Sequence, residues 1–218
     1  MRHVPSHKDL PSSALTTEAI EQRMTHFSRF PHQRAPEEVK IPLRLLDHWV
    51  HSDVPKSPLD FIKRLYATAD AYTEHTVIPL AVCRQGCAHC CTNRPVEVSA
   101  AEAVYIHTHT PFRLNRKAEP LKKYLPTVHT PCPFLNTHTA QCHIYTVRPL
   151  ACRLLARLDH YQHCDTQSPT QGLLTIDSHT YFHTITQPLH EISQQLGNAN
   201  NMAAVAEIRQ WFTPPSTD

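Results

Sequence analysis

Eight cysteines lie in two groups on this chain, CRQGCAHCC at 83–91 and then Cys132, Cys142, Cys152 and Cys164. Such a set reads either as a disulfide framework or as a metal centre. A disulfide framework needs an oxidising compartment and usually serves a small domain without a proper core. The N-terminal stretch MRHVPSHKDL is followed by no continuous apolar run and no small-residue cleavage site, so the reading is a cytoplasmic chain with reduced thiols. The arrangement then reads as a metal centre.

The 218 residues are enough to bury a core without covalent staples, so metal need not be the sole source of stability. A formal net charge of +2, with both signs interspersed, gives no basic stripe and implies no nucleic-acid partner. The longest apolar run, TVIPLAV before Cys83, is far too short to span a membrane. With only three glycines, neither a Gly-rich phosphate loop nor a dinucleotide-binding turn is expected.

Apolar spacing predicts a mainly α fold, with helices packed around an irregular cysteine-rich metal-binding core. Residues 1–14 and 213–218 carry no apolar period and are expected to be disordered. A helical extension over 15–79 should contain three helices. The first starts at Thr17, capped by Thr16 or Thr17, and ends before Pro31. The second, after Pro42, carries Leu45, Leu46, Trp49 and Val50. The third is announced by SPLD at 57–60, where Ser57 can cap and Pro58 suits the first turn, and should run to about Glu74 with Phe61, Leu65, Ala69 and Tyr72 on one stripe. The cysteine-cluster domain over 80–165 follows. Within it, Val96 and Val98 predict a short extended piece, and Ser99 with Glu102 a capping box for the next helix. Leu114–Tyr124 is expected to be helical, and 128–165 irregular apart from one turn at 149–156. Over 166–212, the sets Leu189, Ile192, Leu196 and Met202, Val205, Ile208, Phe212 predict two helices packing on the domain with a hinge at GNAN, 197–200.

Thiolates ligate zinc and iron-sulfur clusters, and they do so only when deprotonated. Cys87 and Cys90 can form a turn with backbone amides aimed at the sulfurs, with Gly86 supplying freedom just before it, and Cys83 adds a third ligand. Cys91 adjoins Cys90, and neighbouring side chains usually diverge, so either two centres or one centre with spare thiols is open. A four-thiolate centre carries a net charge of about −2, which Arg148 and Arg153, flanking Cys152, are placed to offset. His89 and His143 adjoin cysteines but read as solvent-facing or supporting imidazoles, and the HTHT run at 107–110 and the pair His179 and His183 read as surface features. The spacing of Cys83, Cys87 and Cys90 resembles the cluster loop of radical S-adenosylmethionine enzymes, but His89 stands where those enzymes carry an aromatic residue, and no paired glycines follow.

Together, CRQGCAHCC with PVEVSAAEA after it, PCPFL at 131–135, CHIY at 142–145 and RPLACR at 148–153 resemble the YkgJ-type cysteine-cluster family, a zinc- or iron-chelating domain. The resemblance covers about 80–165 and implies metal ligation by Cys83, Cys87, Cys90, Cys91, Cys132, Cys142, Cys152 and Cys164, with an iron-sulfur cluster or zinc as the cofactor. Phe134, Tyr145 and Pro149 are expected to fix and cover the ligand loops. Leu154, Leu155 and Arg157 depart from the small or polar residues usual after the last CR of the branch resembled. The family includes chains named iron-sulfur oxidoreductases, and a related segment occurs in flagellin lysine N-methylase. Three functions follow: an iron-sulfur protein with a redox or modification-accessory role, a zinc module for protein interaction, or a metal-dependent enzyme related to that methylase. Each implies a protein partner or protein substrate. For the enzyme, Glu97, Glu102 and Asp159 are the nearest acidic residues in sequence, and no catalytic set is assigned.

Overall fold

The computed structural model describes residues 12–29, 37–52, 57–83, 87–121, 130–160, 164, 173–175, 179 and 182–212. Among them the order is α1 (Thr17–Arg29), α2 (Glu37–His51), α3 (Pro58–Tyr72), α4 (His89–Asn93), β1 (Glu97–Ser99), α5 (Ala100–His109), β2 (Leu135–Asn136), β3 (Gln141–Cys142), α6 (Leu150–Leu154), β4 (Ala156–Arg157), β5 (Leu173–Leu174), α7 (His183–Asn200), β6 (Val205–Glu207) and α8 (Ile208–Trp211). The fold is mainly α, and its strands form only antiparallel pairs, β1 with β6, β2 with β3 and β4 with β5. No helix among the described residues is long and apolar enough to cross a membrane.

Helix α1 begins where its cap predicts, the Thr16 hydroxyl accepting from the Ala19 amide at 3.2 Å. Its expected stop before Pro31 falls outside the described residues. Helix α2 departs from expectation by starting at Glu37 and running through Pro42. A proline inside a helix forgoes one backbone bond. Here Val39 and Leu46 are buried on either side of it, so packing along one face holds the helix through the gap. Leu45, read as core, points outward and is 60 % exposed.

The α3 stripe is where the sequence puts it, with Phe61, Leu65, Ala69 and Tyr72 all buried. Pro58 occupies the first turn, but Ser57 makes no side-chain capping bond. A π-helical turn over Thr73–Val77 extends the element, with Thr73 and Thr76 hydroxyls donating to the Ala69 and Tyr72 carbonyls. These bonds absorb backbone acceptors that the wider turn leaves.

The largest departures lie at 112–121 and beyond 197. The stretch after Leu114 is irregular where a helix was expected, because its backbone is engaged at long range. The Asn115 amide donates to the Trp211 carbonyl and the Leu121 amide to the Val205 carbonyl. Residues 122–129 lie outside the described set. Helix α7 runs on through GNAN and ends at Asn201, whose φ of 51° gives the left-handed turn that stops it. Gly197 is required by space, since a Cβ there would stand 2.9 Å from the Met202 carbonyl oxygen. The Met202–Phe212 set is then no second long helix. It forms β6, with Ala206 opposite Val98, followed by the single turn of α8.

Two apolar clusters result. One joins α2, α3, α6 and the start of α7 around Leu46, Phe61, Leu65, Tyr72, Leu154 and Phe182. The other joins β1, α5, β6 and α8 around Val98, Ile106, Phe134, Ala206, Trp211 and Phe212. Cys83 packs on the first and Cys91, Cys132, Cys142 and Cys152 on the second, so the cysteine loops sit at the seam.

The two serines at helix starts should separate cleanly in urea unfolding. Ser99→Ala removes an observed capping bond and should cost about 1–2 kcal/mol, while Ser57→Ala should change stability by less than about 0.5 kcal/mol.

Candidate metal centre

The first cysteine group is held by borrowed backbone. The Val82 amide donates to the Arg157 carbonyl at 2.8 Å, and the Arg157 amide donates to Cys83 Sγ at 3.4 Å, so strand β4 fixes the approach to Cys83. Gly86 lies outside the described residues. Cys90 and Cys91 ride on α4, a single turn whose Cys91 amide donates to the Ala88 carbonyl.

The Cys91 carbonyl ties the two groups together. It accepts from the Cys132 amide at 2.7 Å and from Arg209 Nη2 at 3.1 Å. Arg209 also donates to the carbonyls of Arg94 and Thr130, stapling those two segments together. Next, the β2–β3 hairpin sets Cys142 opposite Leu135. Its turn is shaped by Asn136, whose side chain accepts from the His138 and Thr139 amides, and by Ala140 at a φ of 54°.

Helix α6 carries Cys152, and a buried carboxylate fixes its start. Glu102 Oε1 accepts from the Leu150 amide at 2.7 Å and from the Tyr66 hydroxyl at 3.1 Å, while Oε2 accepts from the amide and hydroxyl of Ser99. The capping box expected from sequence therefore does two things: it starts α5 and it anchors α6 across the seam. Arg153 adds a second anchor, donating to both carboxylate oxygens of Asp70 on α3, with its guanidinium carbon 4.1 Å from the Tyr66 ring centroid.

All eight thiols fall into one connected patch. Cys83, Cys87 and Cys164 lie within electrostatic reach of one another, Cys132, Cys142 and Cys152 do likewise, and Cys90 reaches both sets. The Cys90 and Cys91 thiols stay in hydrogen-bond contact instead of turning apart as adjacent side chains usually do. Every cysteine is free. Among the described residues no three His, Cys, Asp or Glu side chains stand close enough to hold a single ion.

Burial keeps most of these thiols protonated in the metal-free protein. It pushes Cys83 and Cys132 up to about 11 from the ordinary 9.0 and raises Cys142 and Cys152 as well. Cys90 is raised first by its bond to Cys91 and then by burial. Cys87 donates to Cys164, which raises Cys87 and lowers Cys164 to about 6; burial opposes that lowering, and Arg157, His89 and Arg94 assist it.

Cations surround the patch. Arg148 lies close enough to favour the thiolates of Cys142 and Cys152, Arg157 those of Cys83 and Cys164, Arg94 that of Cys164 and Arg209 that of Cys132. Arg148 thus stands where the sequence suggests, whereas Arg153 is spent on Asp70 and on the Arg148 and Thr146 carbonyls. Arg157 and Arg209 were not legible as site residues, because neither adjoins a cysteine in sequence.

Of the histidines, His89 lies near Cys164, and His143 is exposed beside Cys142. His179 is a correction. It is 1 % exposed and not at the surface, its Nε2 donating to the Leu154 carbonyl at 2.9 Å and its Nδ1 accepting from the Tyr72 hydroxyl at 3.0 Å. Burial lowers it to about 4, so it is neutral and structural. Phe134 is fully buried beneath the hairpin, but Tyr145, expected to cover the site, is 53 % exposed with the Arg148 guanidinium 4.1 Å from its ring centroid.

Residues 82–171 match the CxxCxxCC family, described as a "putative zinc- or iron-chelating domain". That stretch takes in all eight cysteines and is similar to domains of this metal-chelating kind. No curated protein and no solved structure shows significant similarity to the chain.

Thiols raised above their unfolded value favour the folded metal-free protein below about pH 9, and that contribution is lost as pH rises through the folded value. The metal-free protein should therefore lose thermal stability between about pH 9 and 11, and Cys83→Ser with Cys132→Ser should flatten the decline. Metal loading should have the opposite slope, its apparent affinity rising with pH as bound protons leave.

Proposed function

We propose that the 82–171 segment holds an iron-sulfur centre on its cysteines, and that the protein uses it to pass electrons or to support a modification reaction on a protein partner. The observation that carries this reading is Cys90, which stands between two sets of thiols in an all-cysteine donor patch ringed by Arg94, Arg148, Arg157 and Arg209.

The residues fit the group on two grounds. Soft thiolates are the donors that clusters and zinc take, and among the described residues the carboxylates of Asp159 and Glu207 near the patch are paired with Arg157 and Arg209. Second, Arg148 Nε is buried with no hydrogen-bond partner among the described residues, beside Cys142 and Cys152. A buried N–H without an acceptor is costly, and a thiolate or sulfide sulfur there would satisfy it.

When bound, such a centre supplies one-electron transfer at a potential tuned by nearby hydrogen bonds and charge. The chain's part is to hold the thiols on anchored loops and to offset their negative charge with guanidinium groups. Glu102 is occupied as an acceptor at the α5–α6 junction, which leaves it unsuited to act as a base and favours an electron-transfer or accessory role over catalysis.

Zinc is the competing cargo, because Cys83, Cys87, Cys90 and Cys164 lie within electrostatic reach of one another and would have to draw closer to hold one ion. A closed zinc site would be redox-silent and would organise a surface for a protein partner.

Protein purified without air should contain iron with matching acid-labile sulfide. Cys90→Ser should lose most of both, while His89→Ala should keep them. Stoichiometric zinc without sulfide would overturn the iron-sulfur reading, and unchanged metal in Cys90→Ser would remove that residue from the centre.

A further inference from the structure

We infer that Arg157 is a positioning residue for the Cys83–Cys164 end of the metal centre, and that Arg23 on α1, outside the matched segment 82–171, clamps it there. The inference rests on the metal-centre reading above and assigns control of one end of that centre to residues that ligate nothing.

Arg157 is 1 % exposed, on the two-residue strand β4. Three of its parts act on the Cys83 segment. Its carbonyl accepts from the Val82 amide, its own amide donates to Cys83 Sγ, and its guanidinium lies close enough to Cys83 and Cys164 to favour both thiolates. The guanidinium is held in turn, because Nη1 donates to both carboxylate oxygens of Asp159 at 2.9 Å. A buried arginine so fixed presents its charge to the sulfurs without reorganising.

The support for this arrangement comes from far away in sequence. Arg23 donates from Nε to the Leu158 carbonyl at 2.8 Å and from Nη2 to the Asp159 carbonyl at 3.2 Å, with Nη1 on the Ala14 carbonyl at 2.6 Å. One guanidinium therefore grips the two residues directly after Arg157 and ties them to the 3-10 turn Ser12–Leu15 that precedes α1. The Cys132, Cys142 and Cys152 end has its own cations, Arg209 and Arg148, and does not depend on this clamp.

The consequence is an asymmetry between the two ends, which a general loss of stability would not produce. Metal-loaded protein is treated with iodoacetamide in the presence of a chelator, and alkylation of each cysteine is followed by mass spectrometry. Arg157→Gln should speed alkylation of Cys83 and Cys164 by about tenfold, the scale seen when support behind a ligand is removed, with Cys132, Cys142 and Cys152 alkylated at the wild-type rate. Arg23→Gln should give the same pattern at smaller size, and Arg157→Lys, which keeps the charge and loses the fork, should fall between. Should Arg157→Gln fail to fold, the Arg23→Gln pattern decides. Uniform acceleration at all sites, or none, overturns the inference and leaves the metal centre standing. Wild-type protein that carries metal while Cys83 and Cys164 are unprotected removes those two as ligands. Wild-type protein without metal overturns the reading on which the inference rests.

Discussion

Charge at the cysteine patch sets the terms for the rest of the molecule. Burial in the seam penalises the thiolate form, and mutual repulsion among neighbouring thiolates adds to the cost. In the metal-free protein the cost is avoided by protonation, which is why Cys83 and Cys132 are held near 11. In a loaded centre it has to be met by cations already in place. The positions of Arg94, Arg148, Arg157 and Arg209 make sense as that provision, since each lies beside a different part of the patch and none is a ligand.

A patch assembled from short loops also needs a frame, and the frame is polar as much as apolar. Each of the loops carrying cysteines is too short to bury a core of its own. Their placement relies on a few side chains that bind backbone across long sequence distances. Glu102 joins α3, α5 and α6 through Tyr66, Ser99 and Leu150. Arg209 joins the Cys91 and Thr130 segments, and His179 joins α3 to the Leu154 carbonyl at the end of α6. Each is enclosed where an unmet partner would be expensive, so each enforces one arrangement of the loop it holds. The apolar clusters on either side supply bulk stability, and these bonds decide where the sulfurs stand.

What could be read from sequence follows from the range of the forces involved. The α3 stripe, the start of α1 and the Ser99–Glu102 box are set by residues within two turns of one another, and all three were legible. The helix expected after Leu114 and the second C-terminal helix were misread because their backbone partners lie 84 to 110 positions away, a distance at which apolar periodicity says nothing. Pro42 misplaced the start of α2 for the opposite reason, a strong local rule overridden by packing on Val39 and Leu46. At the site the thiols were legible because cysteine is scarce and its spacing is informative. The arginines beside them were half legible: Arg148 by its closeness in sequence to Cys152, Arg157 and Arg209 not at all.

Arg148 and Arg153 show how little adjacency alone determines. They flank Cys152 and look equivalent on paper, yet α6 turns them to different tasks. Arg153 faces α3, where Asp70 neutralises it and Tyr66 covers it, so its charge is consumed in holding the helix. Arg148 precedes the helix and lies between the exposed Tyr145 ring and the thiols of Cys142 and Cys152, so its charge remains available to sulfur. The difference follows from position: Arg153 rides on α6, whose first amide Glu102 holds, whereas Arg148 precedes Pro149 and lies outside the helix.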